Sequence, residues 1–534
     1  MFKLHGSDEF IEGVVCQENE IGENEMKNFD LGESKVLIVK QNGKISALGT
    51  KCSHYGAPLA TGALGDGRIR CPWHGACFNI TSGDIEDFPG QDSIPCYQVK
   101  IEKGQVKVRA RKSELQTNKR VHNFAKRDKN DSRTFVIVGG GPSGAICAET
   151  LRAKGFTGRI VMISNETTLP YDRIKCSKVM DAKIESLHLR TQQFYDDNEI
   201  EVMTGTAATS LNTQNKEISI DNGYKIKYDK IYLATGSSAR KITIPGSDLK
   251  NIFVLRNIND AHEINAQLND QTHVVVLGVS FIGMEAAAYC VKKAAKVTVI
   301  GRDQFPLRAF GNEIGETIMK FFEEQNVHFI MRSGIKECVG DGTIDSVILN
   351  DGTKLKADIL ITGVGSTLNT EFLKDSGIAI NKNGSIDTND YLESNIPDVY
   401  VGGDIANSPI FMTNHRETIG HYGLAQYHGK VAASNMCGVQ KKLKAVPFFW
   451  MMVFGKSFRY AGHGRYSEVK IDGSLEDLKF IAYYIDADGK VVAICTCGRD
   501  PIASQFAEFL ANGKILTKAQ LETDPLGWTK TVNA

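Results

Sequence analysis

At 534 residues the chain is too long for one ordinary domain and predicts three or four, each able to bury a core. Its 42% hydrophobic and 24% charged residues are those of a soluble globular protein, and 63 Lys and Arg balanced by 63 Asp and Glu argue against a general polyanion binder such as a nucleic-acid protein. No apolar run is long enough to cross a bilayer, and MFKLHGSDEF has neither a signal-peptide core nor an Arg-rich transit segment, so the expected location is intracellular and, by default, cytoplasmic.

Residues from about 10 to 108 read as short β-rich pieces: VLIVK, KISAL, then YQVKIEKGQVKVRA as a hairpin around a Gly turn. Set into them are two loops, Cys52-Ser53-His54-Tyr55-Gly56-Ala57 and Cys71-Pro72-Trp73-His74-Gly75-Ala76. Each supplies one thiol and one imidazole. The 12 cysteines are otherwise dispersed, as in a reducing compartment where thiols serve as metal ligands or core residues.

The C-x-H and C-x-x-H loops resemble the Rieske [2Fe–2S] family across residues 1–108. The resemblance implies that Cys52 and Cys71 hold one iron and His54 and His74 the other, with their imidazole edges as the exit to an acceptor. Neutral imidazoles raise such a cluster's potential above that of an all-thiolate centre. Ala57 and Trp73 stand where high-potential relatives carry a disulfide, and Ala76 and Phe78 offer no hydroxyl to the cluster, which points to the low-potential, ferredoxin-type branch. A Cys2His2 zinc site is the rival reading, but zinc fingers set their His pair on one helix. Cys77 and Cys96 read as buried hydrophobes.

Across residues 109–133 periodicity disappears. From Arg111 to Arg133 eight Lys and Arg face three acids, and the expectation is a basic, solvated, flexible linker.

A first dinucleotide fold follows: strand Thr134 to Val138, then Gly139-Gly140-Gly141-Pro142-Ser143-Gly144, then the helical pattern AICAETLRAKG. Gly139 allows the turn, Gly141 the approach of pyrophosphate and Gly144 the packing of helix on strand. Glu166, after the next strand, is the candidate partner of the adenosine ribose. A second fold sits inside the first. His273 to Leu277 leads into Gly278-Val279-Ser280-Phe281-Ile282-Gly283, with Ser280 in place of the middle glycine. Its next strand ends in Gly301-Arg302-Asp303, without the acid expected directly after the strand of an NADH-preferring relative, so Arg302 is a candidate for a 2′-phosphate and NADPH stays open beside NADH.

Leu169-Pro170-Tyr171-Asp172-Arg173, Ser177-Lys178, Ala234-Thr235-Gly236 and Gly402-Gly403-Asp404 complete a pattern similar to the pyridine nucleotide-disulfide reductase superfamily, in its ferredoxin reductase and apoptosis-inducing-factor branch. The likeness implies that Thr235, Gly236, Arg173 and Lys178 lie along FAD, that Asp404 holds the ribityl chain, and that Trp450 stands near the flavin. It also implies that Gly363 and Gly365 close the nicotinamide domain and that Glu285 reaches the nicotinamide–flavin junction and pairs with Lys178. The expected architecture is multidomain. An all-β Rieske domain (1–108) and the linker (109–133) precede two α/β Rossmann-like domains, for FAD (134–252 and 374–441) and NAD(P) (253–373), and an α+β interface domain (442–534).

Cys176 has no partner cysteine close in sequence, so thiol–disulfide turnover is disfavoured; Cys495 and Cys497 share one face of a core strand. The expected function is an NAD(P)H-dependent reductase that passes electrons through FAD and the cluster to an unidentified one-electron acceptor. Fusion of a Rieske domain to this reductase resembles the Rieske-bearing apoptosis-inducing-factor-like proteins. That implies an alternative as a redox-sensing, pro-apoptotic signalling protein, and mitochondrial association; a homodimer is a further expected partner option.

Overall fold

Residues 9–413 and 415–532 are described by a computed structural model. Residues 1–8, most of the stretch read for targeting, lie outside it. Among the described residues no helix is long and apolar enough to cross a membrane.

The N-terminal part is all β. A six-stranded antiparallel sheet runs in the order Phe10–Gln17, Gln105–Arg111, Cys96–Glu102, Lys44–Leu48, Ser34–Gln41 and Glu25–Leu31, so the expected hairpin lies inside it. A second sheet of four short strands, from Ala63–Gly65 to Ile85–Asp87, carries the Cys71 loop between Arg68–Arg70 and Cys77–Asn79.

Two parallel five-stranded sheets follow. The first has the order Ile200–Met203, Arg159–Ile163, Thr134–Val138, Lys230–Leu233, Val399–Val401. The second has the order Ile252–Val254, Ile359–Thr362, His273–Leu277, Lys296–Ile300, Val327–Ile330, so its edge strand begins one residue ahead of the boundary drawn at 253. Continuous apolar runs such as FVIV and VVVL explain both, because parallel strands are covered on two faces. Helix Pro142–Ala153 packs closely on helix Tyr422–Met436, where a Cβ on Gly429 would lie 2.2 Å from Ser143 O. The C-terminal part is a five-stranded antiparallel sheet with helix Ile502–Ala511 against it, and Cys495 and Cys497 are buried within that sheet.

The segment expected as a solvated tether is instead a strap held at both ends. Asn118 donates to Cys52 O at 2.7 Å, Arg120 exchanges backbone hydrogen bonds with Ser93, and its guanidinium reaches Ile94 O, Ser82 O and Asp84. Further along, Ala125 N donates to Arg152 O and Asp128 N to Thr157 O. The strap's polar groups find carbonyls and acids on two domains rather than water, which composition alone does not reveal.

Lys430, on helix Tyr422–Met436, crosses the same junction. It donates to Ile85 O, and burial, with Lys441 and Lys154 nearby, pushes its ammonium down to about 7. An unperturbed lysine titrates near about 10.4, so between these values the unfolded chain holds a proton that the folded chain lacks, and stability rises with pH across that window. Thermal melts are therefore expected to show the wild-type Tm climbing relative to Lys430→Met between about pH 7.5 and about pH 9.5. Parallel pH curves for the two proteins would refute this.

Candidate redox site

The two Cys/His loops have matching geometry. Cys52 N donates to Ala57 O at 2.9 Å and Gly56 N to Cys52 O at 3.0 Å; Cys71 N donates to Ala76 O at 2.7 Å and Gly75 N to Cys71 O at 3.3 Å. Gly56 and Gly75 close the turns at φ 76° and 79°, in the left-handed region that favours glycine. At Gly75 the turn also presses on the C-terminal sheet, where a Cβ would sit 2.7 Å from the Phe448 ring.

Four donors converge as two pairs. The Cys52 and Cys71 thiols are buried and hydrogen-bonded to each other, which raises Cys52 and lowers Cys71; backbone N–H groups of His54 and Tyr55 point at one sulfur and those of Trp73 and His74 at the other. The Nδ1 atoms of His54 and His74 face each other at 3.2 Å. Two ring nitrogens so placed need a proton or a metal between them. Burial first, and nearby Lys175 for both rings, pushes His54 down to about 3 and His74 to about 2, so both imidazoles are neutral, as ligation requires. Among the described residues no three His, Cys, Asp or Glu side chains gather as a single ion would demand. A thiolate pair beside an imidazole pair fits a two-iron cluster.

The imidazoles, expected as the exit to an acceptor, are half-buried, with aromatic rings packed against them. The Trp450 ring lies 4.5 Å from His74 and 6.1 Å from His54, and Tyr55 stacks on His54 at 3.8 Å. Trp450 is itself buried, with His421 on another side at 5.9 Å. The histidines thus look into the flavoprotein. Tyr55 secures this by donating to Asp172 of the P-Y-D-R loop at 2.6 Å, and Arg459 by donating to Trp73 O at 2.8 Å. Cys77 is buried as read from the sequence, whereas Cys96 is only half-buried and contacts Thr81 O.

Both Gly-rich turns have the form of a phosphate cradle. A Cβ on Gly139 would lie 2.1 Å from Ala234 O, and one on Gly144 would lie 1.9 Å from Gly139 O, while the space in front of Gly141 is open. The first and third glycines are demanded by packing and the second faces room for a ligand. The second turn repeats this: a Cβ on Gly278 would meet Gly363 O at 2.3 Å and one on Gly283 would meet Gly278 O at 2.2 Å. Ser280 is exposed at the start of helix Phe281–Cys290 with its hydroxyl making no cap, so the one non-glycine position has a spare donor. Gly365 follows Gly363 with φ 101° and its carbonyl accepts from Arg240 N.

Around these turns the remaining candidates are drawn into pairs. Lys178 meets Glu285 at 2.7 Å, and Ser177 Oγ donates to the same carboxylate. They line a cleft of about 150 Å3 with Tyr289, Lys292 and the Met452 to Gly455 turn. Glu166 forms an ion pair with Arg173 and accepts from Tyr171 Oη at 2.9 Å. Asp404 accepts from Ser237 Oγ at 2.7 Å and from Arg256 at 3.0 Å. Arg256 carries no motif, since nothing local announces an arginine whose partner lies in the distant turn Gly403–Ile405. Thr235 Oγ1 is engaged by Asn369 O at 2.6 Å, and Gly236 takes φ 67° beside Arg256 and Asp404.

Residues 133–429 match the pyridine nucleotide-disulphide oxidoreductase family and residues 12–98 match the Rieske [2Fe-2S] domain. The chain belongs to the pyridine nucleotide-disulphide oxidoreductases. Apoptosis-inducing factor 3 of Mus musculus is 41% identical to this oxidoreductase over 521 residues, covering 96% of the chain and 86% of that protein. The benzene 1,2-dioxygenase system ferredoxin–NAD(+) reductase subunit of Pseudomonas putida is 30% identical over 61% of the chain and 80% of its own length. The crystal structure of the covalent putidaredoxin reductase–putidaredoxin complex matches with a TM-score of 0.71 at 25% identity, over 76% of this chain and 98% of that one. The oxidoreductase is therefore an NAD(P)H-dependent electron-transfer flavoprotein with FAD and a Rieske [2Fe–2S] centre, and the ferredoxin-reductase fold is joined to its own Rieske domain.

Proposed function

We propose that the chain is a reductase with its iron–sulfur partner built in and held docked, the electrons leaving for a one-electron acceptor. When bound, FAD takes an electron pair from NAD(P)H and the [2Fe–2S] centre accepts electrons one at a time. Cys52, His54, Cys71 and His74 hold the cluster. Gly139, Gly141 and Gly144 cradle the FAD pyrophosphate, with Glu166, Arg173, Thr235, Gly236 and Asp404 along it. Gly278, Ser280, Gly283, Gly363 and Gly365 serve the nicotinamide nucleotide. Lys178 and Glu285, locked as an ion pair beside the cleft, orient the reacting rings.

The observation that carries this reading is the contact of Trp450 with His74 at 4.5 Å, which turns the imidazole ligands toward the flavoprotein. Trp450 packs the gap and excludes water from it. Where the relatives are named as reductases of separate ferredoxins, the Rieske domain here fills that role from within the chain. The outward rim of the site is Tyr55 and Trp73, 39% and 38% exposed, and it is there that an acceptor gains access.

Rapid mixing with NADPH or NADH tests the reading. Flavin bleaching followed by cluster reduction is expected, and Trp450→Leu is expected to slow the second phase while leaving the first at its wild-type rate. A cluster that stays oxidised in the wild type while the flavin remains reduced would favour the redox-sensing alternative.

A further inference from the structure

We propose that Arg302 and Arg332 form a subsite for a 2′-phosphate on the adenosine ribose, which makes NADPH the preferred donor. The inference rests on the nucleotide assignment of the second Gly-rich fold.

In a dinucleotide fold an acid near the end of the second strand takes the ribose 2′-hydroxyl, and an arginine there takes a 2′-phosphate. Here strand Lys296–Ile300 runs directly into Gly301. A Cβ at Gly301 would lie 2.5 Å from Val279 Cγ1 and 3.0 Å from Cγ2, in the middle of the phosphate turn. A valine side chain has little rotamer freedom with which to yield. The position that would carry the carboxylate is closed by packing.

The turn after this strand is stitched to the turn after strand Val327–Ile330. Gly301 N donates to Ile330 O at 3.1 Å, Ser333 N to Gly301 O at 2.9 Å and Arg332 N to Asp303 O at 3.2 Å. These bonds bring Arg302 and Arg332 onto adjoining turns at the carboxyl edge of the sheet, where such folds bind nucleotides. Arg332 is held at φ 55°, a left-handed conformation that side-chain-bearing residues adopt infrequently and that functional turns often retain. Both arginines are exposed, and among the described residues neither guanidinium has an ion pair, a hydrogen bond or a ring contact. Two unneutralised guanidinium groups on adjoining turns match the charge and the hydrogen-bonding demand of a phosphate monoester.

Calorimetric titration of the FAD- and cluster-loaded protein with adenosine 2′,5′-bisphosphate and with AMP isolates the 2′-phosphate. The bisphosphate is expected to bind tighter by about tenfold or more, the scale of one charge-assisted hydrogen bond, with the margin shrinking as salt rises. Arg302→Ala combined with Arg332→Ala is expected to erase the margin while preserving AMP affinity, flavin content and unfolding temperature. Equal binding of the two probes by the wild type overturns the subsite, as does tighter AMP binding that Asp303→Asn abolishes, which would give the 2′-hydroxyl to Asp303. If neither probe binds, the nucleotide assignment itself fails and the subsite falls with it.

Discussion

Cys71→Ala is expected to yield a protein that keeps its flavin but has lost nearly all of its iron and acid-labile sulfide. The Cys71 sulfur is buried, paired with Cys52 and faced by the N–H groups of Trp73 and His74, an arrangement that stabilises a thiolate. With a methyl group there, one iron loses half of its protein ligands. The turn Gly139 to Gly144 belongs to a separate parallel sheet, so FAD content should stay at the wild-type level. Because ligand binding free energy adds to folding free energy, the N-terminal sheets should also melt earlier. Iron, sulfide and flavin assays with an EPR spectrum decide the matter: wild-type iron in the variant, or zinc in place of iron in the wild type, sinks the ligand assignment.

What could be read in advance follows from where the determinants lie along the chain. The Cys/His loops and both glycine turns are local, since their turn hydrogen bonds and φ angles, and the collisions at the glycine turns, involve residues within a few positions or beside the adjoining strand; only Gly75 adds a distant neighbour, Phe448. The parallel strands were readable for a similar reason, burial on both faces leaving uninterrupted apolar runs. The orientation of His54 and His74 depends on Trp450, contributed by a strand near the other end of the chain, and no spacing encodes that contact. The strap misled for the converse reason. Eight basic residues look like a solvated tether until Arg120 is seen against Asp84 and the carbonyls of Ser82 and Ile94. Glu508 lay equally out of reach: in IASQFAEFLA it reads as an ordinary helix acid, yet it is fully buried.

Glu508→Gln is expected to loosen the Rieske domain from the body of the protein. In the wild type one carboxylate oxygen meets Arg68 at 2.8 Å and the other meets Arg70 at 2.6 Å, and Arg70 goes on to Gly75 O in the cluster loop at 2.8 Å and to Asp87 at 3.0 Å. Burial alone would raise the Glu508 carboxyl, but Arg70 and Arg68 outweigh it and hold it below the usual carboxylate range. The interaction is therefore intact above the ordinary glutamate value and is lost only as pH falls through the lower folded value. Glutamine takes away the fully buried counter-charge of Arg70, leaves it only the partly exposed Asp87, and turns an amide N–H2 toward a guanidinium. Breaking a buried pair in this way costs about 3–5 kcal/mol. The melting temperature should drop by several degrees, and protease should cut within residues 112–133 as the strap comes free. Replacing all four charged residues by neutral ones, Arg68→Met and Arg70→Met with Glu508→Leu and Asp87→Asn, should recover much of the loss, because no member of the cluster is then left charged without a partner. Should Glu508→Gln melt and resist protease like the wild type, the force that docks the cluster domain must be sought in the Tyr55–Asp172 and Arg190–Asp92 contacts instead.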